Sequence, residues 1–349
     1  MGLSKRQLEV LSALQWMLTF LFLGPVCTVL LLWLLFTRLW LVSVLYFAWW
    51  LLDWDTPERG GRPCDWLRRR RIWAHFCDYF PIKVVRTAPL PPGRSYVLGA
   101  HPHGIACAGA FAALCTEAAG FPRLFPGLRP VLAPLRGLFL LPGYREYLMS
   151  AGMCPVSRAS LDFLLSRPGV AVGIVVGGAA EALDSAPGSY RLTLLRRTGF
   201  VRVALRHGAC LVPLLSLGEP ELFAQAQFAP GGLARRLQER FRALVGFAPC
   251  VIRGEWGLLP RPRPLTVVVG SPIPVPRRVK ATPEETASSL PSVTTSTVDA
   301  SKLAKKHFSN YLVGSIKDNT FTQRTCLHVC VYINILEPVY IYVCVCSSI

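Results

Sequence analysis

Hydrophobic residues fall into three regimes along this chain. From Val10 to Thr37 no residue is charged, and after Arg38 a second apolar run continues from Leu39 to Leu52. The first run is long enough to cross a bilayer as a helix, and the second is short for that task. More apolar sequence follows where a signal peptide would show a small-residue cleavage site, so the run is expected to remain on the chain. Lys5 and Arg6 precede the pair, while Arg59, Arg62 and Arg68 to Arg71 follow it. The positive-inside rule places both flanks on the cytosolic side. Residues 1–55 are therefore expected to form a membrane hairpin with Arg38 near its turn, or a re-entrant wedge if the short arm does not span.

Over residues 56–280 short apolar runs alternate with helix-like segments, the pattern of a mostly parallel sheet flanked by helices. Tyr96 to Ala100 reads as a buried strand that stops at His101-Pro102-His103-Gly104. Ala171 to Val176 is a second, ending in Gly177-Gly178-Ala179-Ala180-Glu181, and Ala209 to Leu217 a third, ending in Gly218-Glu219. Leu265 to Val269 is the last expected strand, after which Pro272, Pro274 and Pro276 exclude a central one. From 281 to 349 the chain turns to Ser/Thr-rich and then Tyr/Val/Cys-rich sequence, and this third regime is expected not to fold.

Charge narrows the choice of partners. The net charge of +18 and the 52% hydrophobic content fit a membrane-attached protein with an anionic partner. The arginines are scattered among apolar segments and no nucleic-acid-binding motif occurs, so nucleic acid is not expected. Twelve cysteines without a C-x-x-C pair suit free thiols in a reducing compartment.

The candidate chemistry lies at strand ends, where ligands bind in open α/β sheets. His101 and His103 close the first strand, and Ile105 to Glu117 suits a helix whose N-terminal N–H groups would face them. A neutral imidazole there can act as general base toward a hydroxyl, with the N–H groups stabilising an oxyanion. Either histidine can be that base. A zinc site is the weaker alternative, because Ile105 to Ala113 supplies no further ligand. Gly177 and Gly178 allow close backbone approach, and Glu181 orients a histidine, lines the substrate site or is a solvated turn residue. Arg202 and Arg206 share one face of a helix that follows Arg196 and Arg197; they would hold phosphates of a nucleotide-bearing substrate or rest on the membrane.

These blocks resemble the diacylglycerol acyltransferase type 2 family, in its monoacylglycerol acyltransferase branch and type 3-like. The resemblance runs from about Leu8 to Arg277. It rests on Asp53-Trp54-Asp55-Thr56-Pro57, Tyr79-Phe80-Pro81, His101-Pro102-His103-Gly104, Phe125 to Pro130, Val176 to Leu183, the Arg197 to Glu219 block and the Val269 to Pro276 strand exit. It implies a glycerolipid-acyltransferase-like α/β fold and an endoplasmic reticulum enzyme of triacylglycerol synthesis. Such an enzyme moves an acyl group from acyl-CoA to monoacylglycerol, with diacylglycerol as a further acceptor left open. No cofactor is expected beyond acyl-CoA as co-substrate. The family's histidines map onto His101 and His103 and its glycine-rich acidic motif onto Glu181; Gly104, Gly177, Gly178, Arg196, Arg197, Arg202, Arg206 and Glu219 are the expected substrate contacts. Related glycerolipid acyltransferases carry an aspartate a few residues after the histidine, where this chain has Ala106 and Ala108, so Glu181 is the candidate orienting carboxylate. The family's Phe-Leu-x-Leu neutral-lipid motif fits Phe20-Leu21-Phe22-Leu23. Beyond Glu285 the chain departs from the family's amphipathic C-terminal helix, and a lipid-surface protein without turnover is the competing class.

Overall fold

The structure, a computed structural model, describes residues 3–190, 192, 197–278, 285–286, 329–330 and 342–343. The tail expected from 281 onward, and Arg196, lie outside the described residues but for those short pieces. The N-terminal apolar run forms one helix, α1 (Lys5–Leu34), capped by Ser4 and Gln7 and drawn into a π-helical turn at Thr19–Leu23. Among the described residues it is the one helix long and apolar enough to cross a membrane. Its two halves have different surroundings. Trp16 and Met17 are buried in the protein core, whereas Val26, Val29, Trp33 and Phe36, on and just beyond the second half, are exposed. The Trp16 ring meets Phe76 at 5.1 Å and Phe111 at 5.5 Å. The expected 1–55 unit is thus divided, because an apolar side chain is stabilised equally by lipid and by a core that matches its helical stripe. Next comes α2 (Trp40–Leu52), which returns along the exposed half, with the Ser43 hydroxyl donating to the Leu31 carbonyl at 2.7 Å.

The helix α3 (Arg71–Tyr79) is strongly amphipathic and buries Trp73, Phe76 and Tyr79 against α1 and the sheet. The sheet that follows has six strands, interleaved along the chain with helices. These are β1 (Lys83–Arg86), β2 (Tyr96–His101), α4 (Ala108–Cys115), β3 (Arg129–Ala133), α5 (Tyr144–Ser150), α6 (Arg158–Leu165), β4 (Val170–Val175), α7 (Gly178–Leu183), α8 (Gly199–His207), β5 (Cys210–Leu217), α9 (Leu233–Val245) and β6 (Thr266–Val269). Their order across the sheet is β1, β6, β5, β2, β4, β3. The strands β5, β2, β4 and β3 run parallel; β6 runs antiparallel to β5 and parallel to β1.

Both faces of the central strand are covered. Tyr96 and Leu98 point into the cluster with Phe76, Phe111 and Leu114, and Val97 into the one with Leu161, Leu164, Val201 and Leu205. Strands buried on both faces read as continuous apolar runs, which is why β2, β4 and β5 stand out in the sequence. Each such side chain contributes about 1.5–3 kcal/mol by leaving water. The register pairs Tyr96 with both Ala171 and Cys210, so the three strands start nearly level and end at one edge of the sheet, at His101, Val175 and, two residues further on, Leu217. That common edge carries the histidines, the glycine-rich acidic loop and Glu219.

One element had no counterpart in the sequence reading. On α9 the side chains of Leu233, Leu237, Phe241 and Leu244 form an exposed stripe, flanked by exposed Arg236 and Arg240.

Candidate active site

The strand β2 ends in a histidine pair whose two members have distinct settings. His101 is 1% exposed, and neither of its ring nitrogens has a hydrogen-bond partner among the described residues. His103 is half-buried on the loop beyond the cis His101–Pro102 bond, its Nδ1 3.1 Å from the Gly104 carbonyl oxygen. Glu181 reaches both. One carboxylate oxygen accepts the His103 backbone N–H at 2.5 Å and the other stands 3.7 Å from His101 Nδ1, beyond ordinary hydrogen-bond reach. The carboxylate lies folded over Gly177, where any Cβ would collide with it. Glycine at 177 is therefore a steric requirement of the acid's placement.

With its proton on Nδ1, His103 donates to the Gly104 carbonyl and leaves Nε2 with a free lone pair. Burial holds its basicity below the ordinary histidine value, against the opposing pull of Glu181 and the Gly104 carbonyl. The imidazole is accordingly neutral near pH 7, the form a general base needs.

His103 opens onto an apolar cavity of about 270 Å³. Its walls include Trp16, Met17 and Phe20 of α1, Tyr144 and Tyr147 of α5, and Phe247 just beyond α9. Gly178 also lines it, while His101, Gly104, Gly177, Glu181 and Glu219 do not. A cavity of this kind, apolar with one convergent basic nitrogen, suits the chain of a lipid substrate.

The helix after the histidines departs from expectation. Its first turn starts at Ala108, since Cys107 adopts a left-handed conformation (φ 56°). The N–H groups of Ala108 and Gly109 do not face the histidines. They donate to Glu219, to Oε1 at 2.7 Å and Oε2 at 2.8 Å. Those two amides are spent on a carboxylate and are not free to hold an oxyanion, which corrects their expected role. Glu219 itself is 2% exposed, and burial raises its carboxyl to about 7 although the two N–H bonds oppose the rise.

Residues 32–311 match the diacylglycerol acyltransferase family. A human protein named 2-acylglycerol O-acyltransferase 3 is 56% identical over 292 residues, covering 81% of this chain and 86% of the relative. The chain belongs to the diacylglycerol acyltransferase family. A Xenopus laevis relative named diacylglycerol O-acyltransferase 2 is 50% identical over 281 residues, 78% of each chain. Among solved structures, the lysophosphatidic acid acyltransferase PlsC of Thermotoga maritima aligns at a TM-score of 0.39 and 14% identity, over 86% of this chain and 98% of its own. The family match continues past Glu285 and leaves residues 312–349 outside.

Within this family member the arginines expected at the substrate separate. Arg197 stands at the edge, its Nη2 3.4 Å from the Gly177 carbonyl oxygen. Arg202 is exposed and, among the described residues, reaches the Thr198 hydroxyl at 3.5 Å. Arg206 donates to both Asp162 oxygens, at 3.2 and 3.0 Å, and His207 joins the same carboxylate at 2.8 Å. That cluster lies at the end of α8 that feeds β5, the edge of the sheet opposite His101. Helical i, i+4 spacing brings two arginines to one face but says nothing of which end of the sheet they reach.

Tyr144, Tyr147, Trp16 and Phe247 were not singled out as site residues in the sequence, since an apolar wall looks like core. Phe20 and Leu21 of the Phe-Leu-x-Leu segment line the cavity, while Phe22 is exposed. Cys107 is no nucleophile in this setting. Its thiol donates to the His103 carbonyl at 3.1 Å, and burial, then Glu219 and Glu181, push it well above the ordinary thiol range. Since the thiolate is the reactive form, Cys107→Ala is expected to keep most of its turnover, losing only the thiol's weak bond to the His103 carbonyl. Inactivity of a well-folded Cys107→Ala enzyme would instead point to an acyl-enzyme formed on this thiol.

Proposed function

We propose that this chain is an acyl-CoA:monoacylglycerol O-acyltransferase that forms diacylglycerol at the cytosolic face of the endoplasmic reticulum membrane, with diacylglycerol as a second acceptor. The observation that carries this is His103, a neutral imidazole set into an apolar cavity walled by the N-terminal apolar helix, in a chain of this family. His103 Nε2 takes the proton of the acylglycerol hydroxyl as its oxygen attacks the thioester carbonyl. The C–O bond forms, the C–S bond breaks, and the departing CoA sulfur receives the proton from His103. Glu181 positions the pair, and Arg197 lies where a CoA phosphate could be met. The reaction uses no cofactor or metal ion in this proposal, and chelators are expected to leave it unchanged.

Membrane lipids are the second partner. The pairing of α1 with α2 supports a hairpin, and the exposed stripe of α9, next to the cavity wall at Phe247, suits a leaflet surface whose anionic headgroups meet Arg236 and Arg240. Acyl-CoA carries phosphates and does not cross bilayers unaided, which fits a cytosolic domain between positively charged flanks. Membranes carrying the protein, given labelled acyl-CoA and 2-monoacylglycerol, are expected to form labelled diacylglycerol. No product above control membranes would leave a lipid-surface protein without turnover. A glycosylation acceptor placed after Pro276 is expected to stay unmodified; its modification would overturn the cytosolic placement.

A further inference from the structure

We propose that Glu219 is a positioning residue for His103, a carboxylate brace that ties the start of α4 to the end of β5 and thereby sets the path of the loop carrying the base. The inference rests on the acyltransferase reading above for its kinetic consequence, but its structural content stands independently.

The loop from Pro102 to Cys107 is strung between β2 and α4, and an unbraced loop of this kind would leave the imidazole free to wander. It is held at three points. Glu181 accepts the His103 N–H, the Cys107 thiol donates back to the His103 carbonyl, and Glu219 takes the first two amides of α4. Glu219 also packs directly under the loop: a Cβ at Gly104, whose φ is +60°, would meet its Cγ at 2.5 Å. Only glycine meets both conditions at 104, so the motif's glycine and Glu219 are matched parts, 115 positions apart in the chain.

A carboxylate here is demanding. The groups facing it are the Cys107 thiol from the loop and the Tyr190 phenol, whose oxygen accepts the Gly218 N–H at 2.8 Å. Among the described residues no lysine or arginine pairs with it, so two backbone N–H groups alone compensate the charge. A neighbouring cation would make a generic ion pair; two adjacent helix-start amides instead fix the carboxylate in direction as well as distance. Protonation of either oxygen replaces an acceptor with a donor facing an N–H, and one amide loses its partner. The brace is therefore complete only when Glu219 is ionised, and the raised carboxyl at about 7 puts that change in the working range.

The test compares the full chain in proteoliposomes with Glu219→Gln and Glu219→Asp. Glutamine keeps the volume but offers one acceptor and one clashing NH₂, and aspartate is too short to span both amides. In Glu219→Gln, kcat is expected to fall about 10²-fold, the cost of displacing a catalytic group by about an ångström. The KM for acyl-CoA should stay close to wild type. Wild-type kcat is expected to rise with pH through two ionisations, the Glu219 one near 7 and the His103 one below 6.5, and Glu219→Gln is expected to keep only the lower. Amide exchange across 103–115 supplies a readout that needs no turnover; it is expected to quicken about tenfold or more in Glu219→Gln, as loss of a buried amide's partner requires, with β2, β4 and β5 unchanged. Unchanged exchange in that segment overturns the proposal whether or not the chain is active. So does a Glu219→Gln enzyme with wild-type kcat and pH profile per folded molecule. Wild-type inactivity together with quickened exchange would refute the acyltransferase reading and leave the brace standing.

Discussion

With His103→Ala, membranes carrying the protein are expected to lose diacylglycerol formation by about 10²- to 10⁴-fold, the range a positioned proton acceptor supplies. His101→Ala is expected to lose less. The sequence presents the two histidines as equivalent, and their surroundings separate them. His103 lines the cavity and has one ring nitrogen turned to the Gly104 carbonyl, which leaves the other for a substrate hydroxyl. His101 is sealed at 1% exposure and its nearest charged neighbour is Glu181 at 3.7 Å. A residue so placed acts through the loop. The pH dependence follows from the same burial. Because burial lowers the His103 value from 6.5, the neutral base is fully present above that pH, and its share of the rate is lost as pH falls through the lowered value. Rates measured per folded molecule at pH 7.5 check the first claim. A dead His101→Ala beside a near-normal His103→Ala would exchange the two roles.

What could be read from the chain itself was whatever depends on neighbours in sequence. The strands β2, β4 and β5 announce themselves because a parallel strand buried on both faces is apolar throughout, and glycine and proline mark where each stops. Those stops share one edge, so the histidines, Glu181 and Glu219 were found together. What they do there was hidden, because it depends on partners far along the chain. Nothing near Ala108 says that its N–H is taken by a glutamate 111 positions later, and nothing near Arg206 names Asp162, 44 positions earlier. The N-terminal run fails for another reason: Trp16 and Val26 are equally apolar, yet one lies in the protein and the other outside it. The stripe on α9 went unread although its signal is local: Leu233, Leu237, Phe241 and Leu244 recur at helical spacing between arginines.

The Asp53-Trp54-Asp55-Thr56-Pro57 segment, which the sequence marks as the end of the apolar runs, leads to the second large effect. Asp53→Ala is expected to destabilise the folded protein by about 3 kcal/mol, the low end of the cost of breaking a buried ion pair, because Arg145 keeps Glu146 at 3.5 Å. Its partner is Arg145 on α5, 92 positions away and 1% exposed, which donates to the Asp53 carboxylate at 2.9 Å and to its backbone carbonyl at 2.8 Å. The other carboxylate oxygen accepts from the Thr56 hydroxyl at 2.6 Å and from Arg62. Arg145 also reaches the Trp50 carbonyl at 3.3 Å and lies 5.8 Å from the Trp50 ring, so one guanidinium gathers the whole end of α2. Removing Asp53 leaves that charge to carbonyls, rings and the Glu146 carboxylate, 3.5 Å from Arg145 Nε. The loss should extend to turnover, because α5 also carries Tyr144 and Tyr147 of the cavity wall. Replacing both partners, Asp53→Leu with Arg145→Met, removes the stranded charge as well as the pair, and is expected to recover much of the lost stability. Thermal unfolding of the purified protein in lipid nanodiscs measures both. An Asp53→Ala protein as stable as wild type, or a double variant no better than the single, would mean that α2 is held to the domain by packing alone.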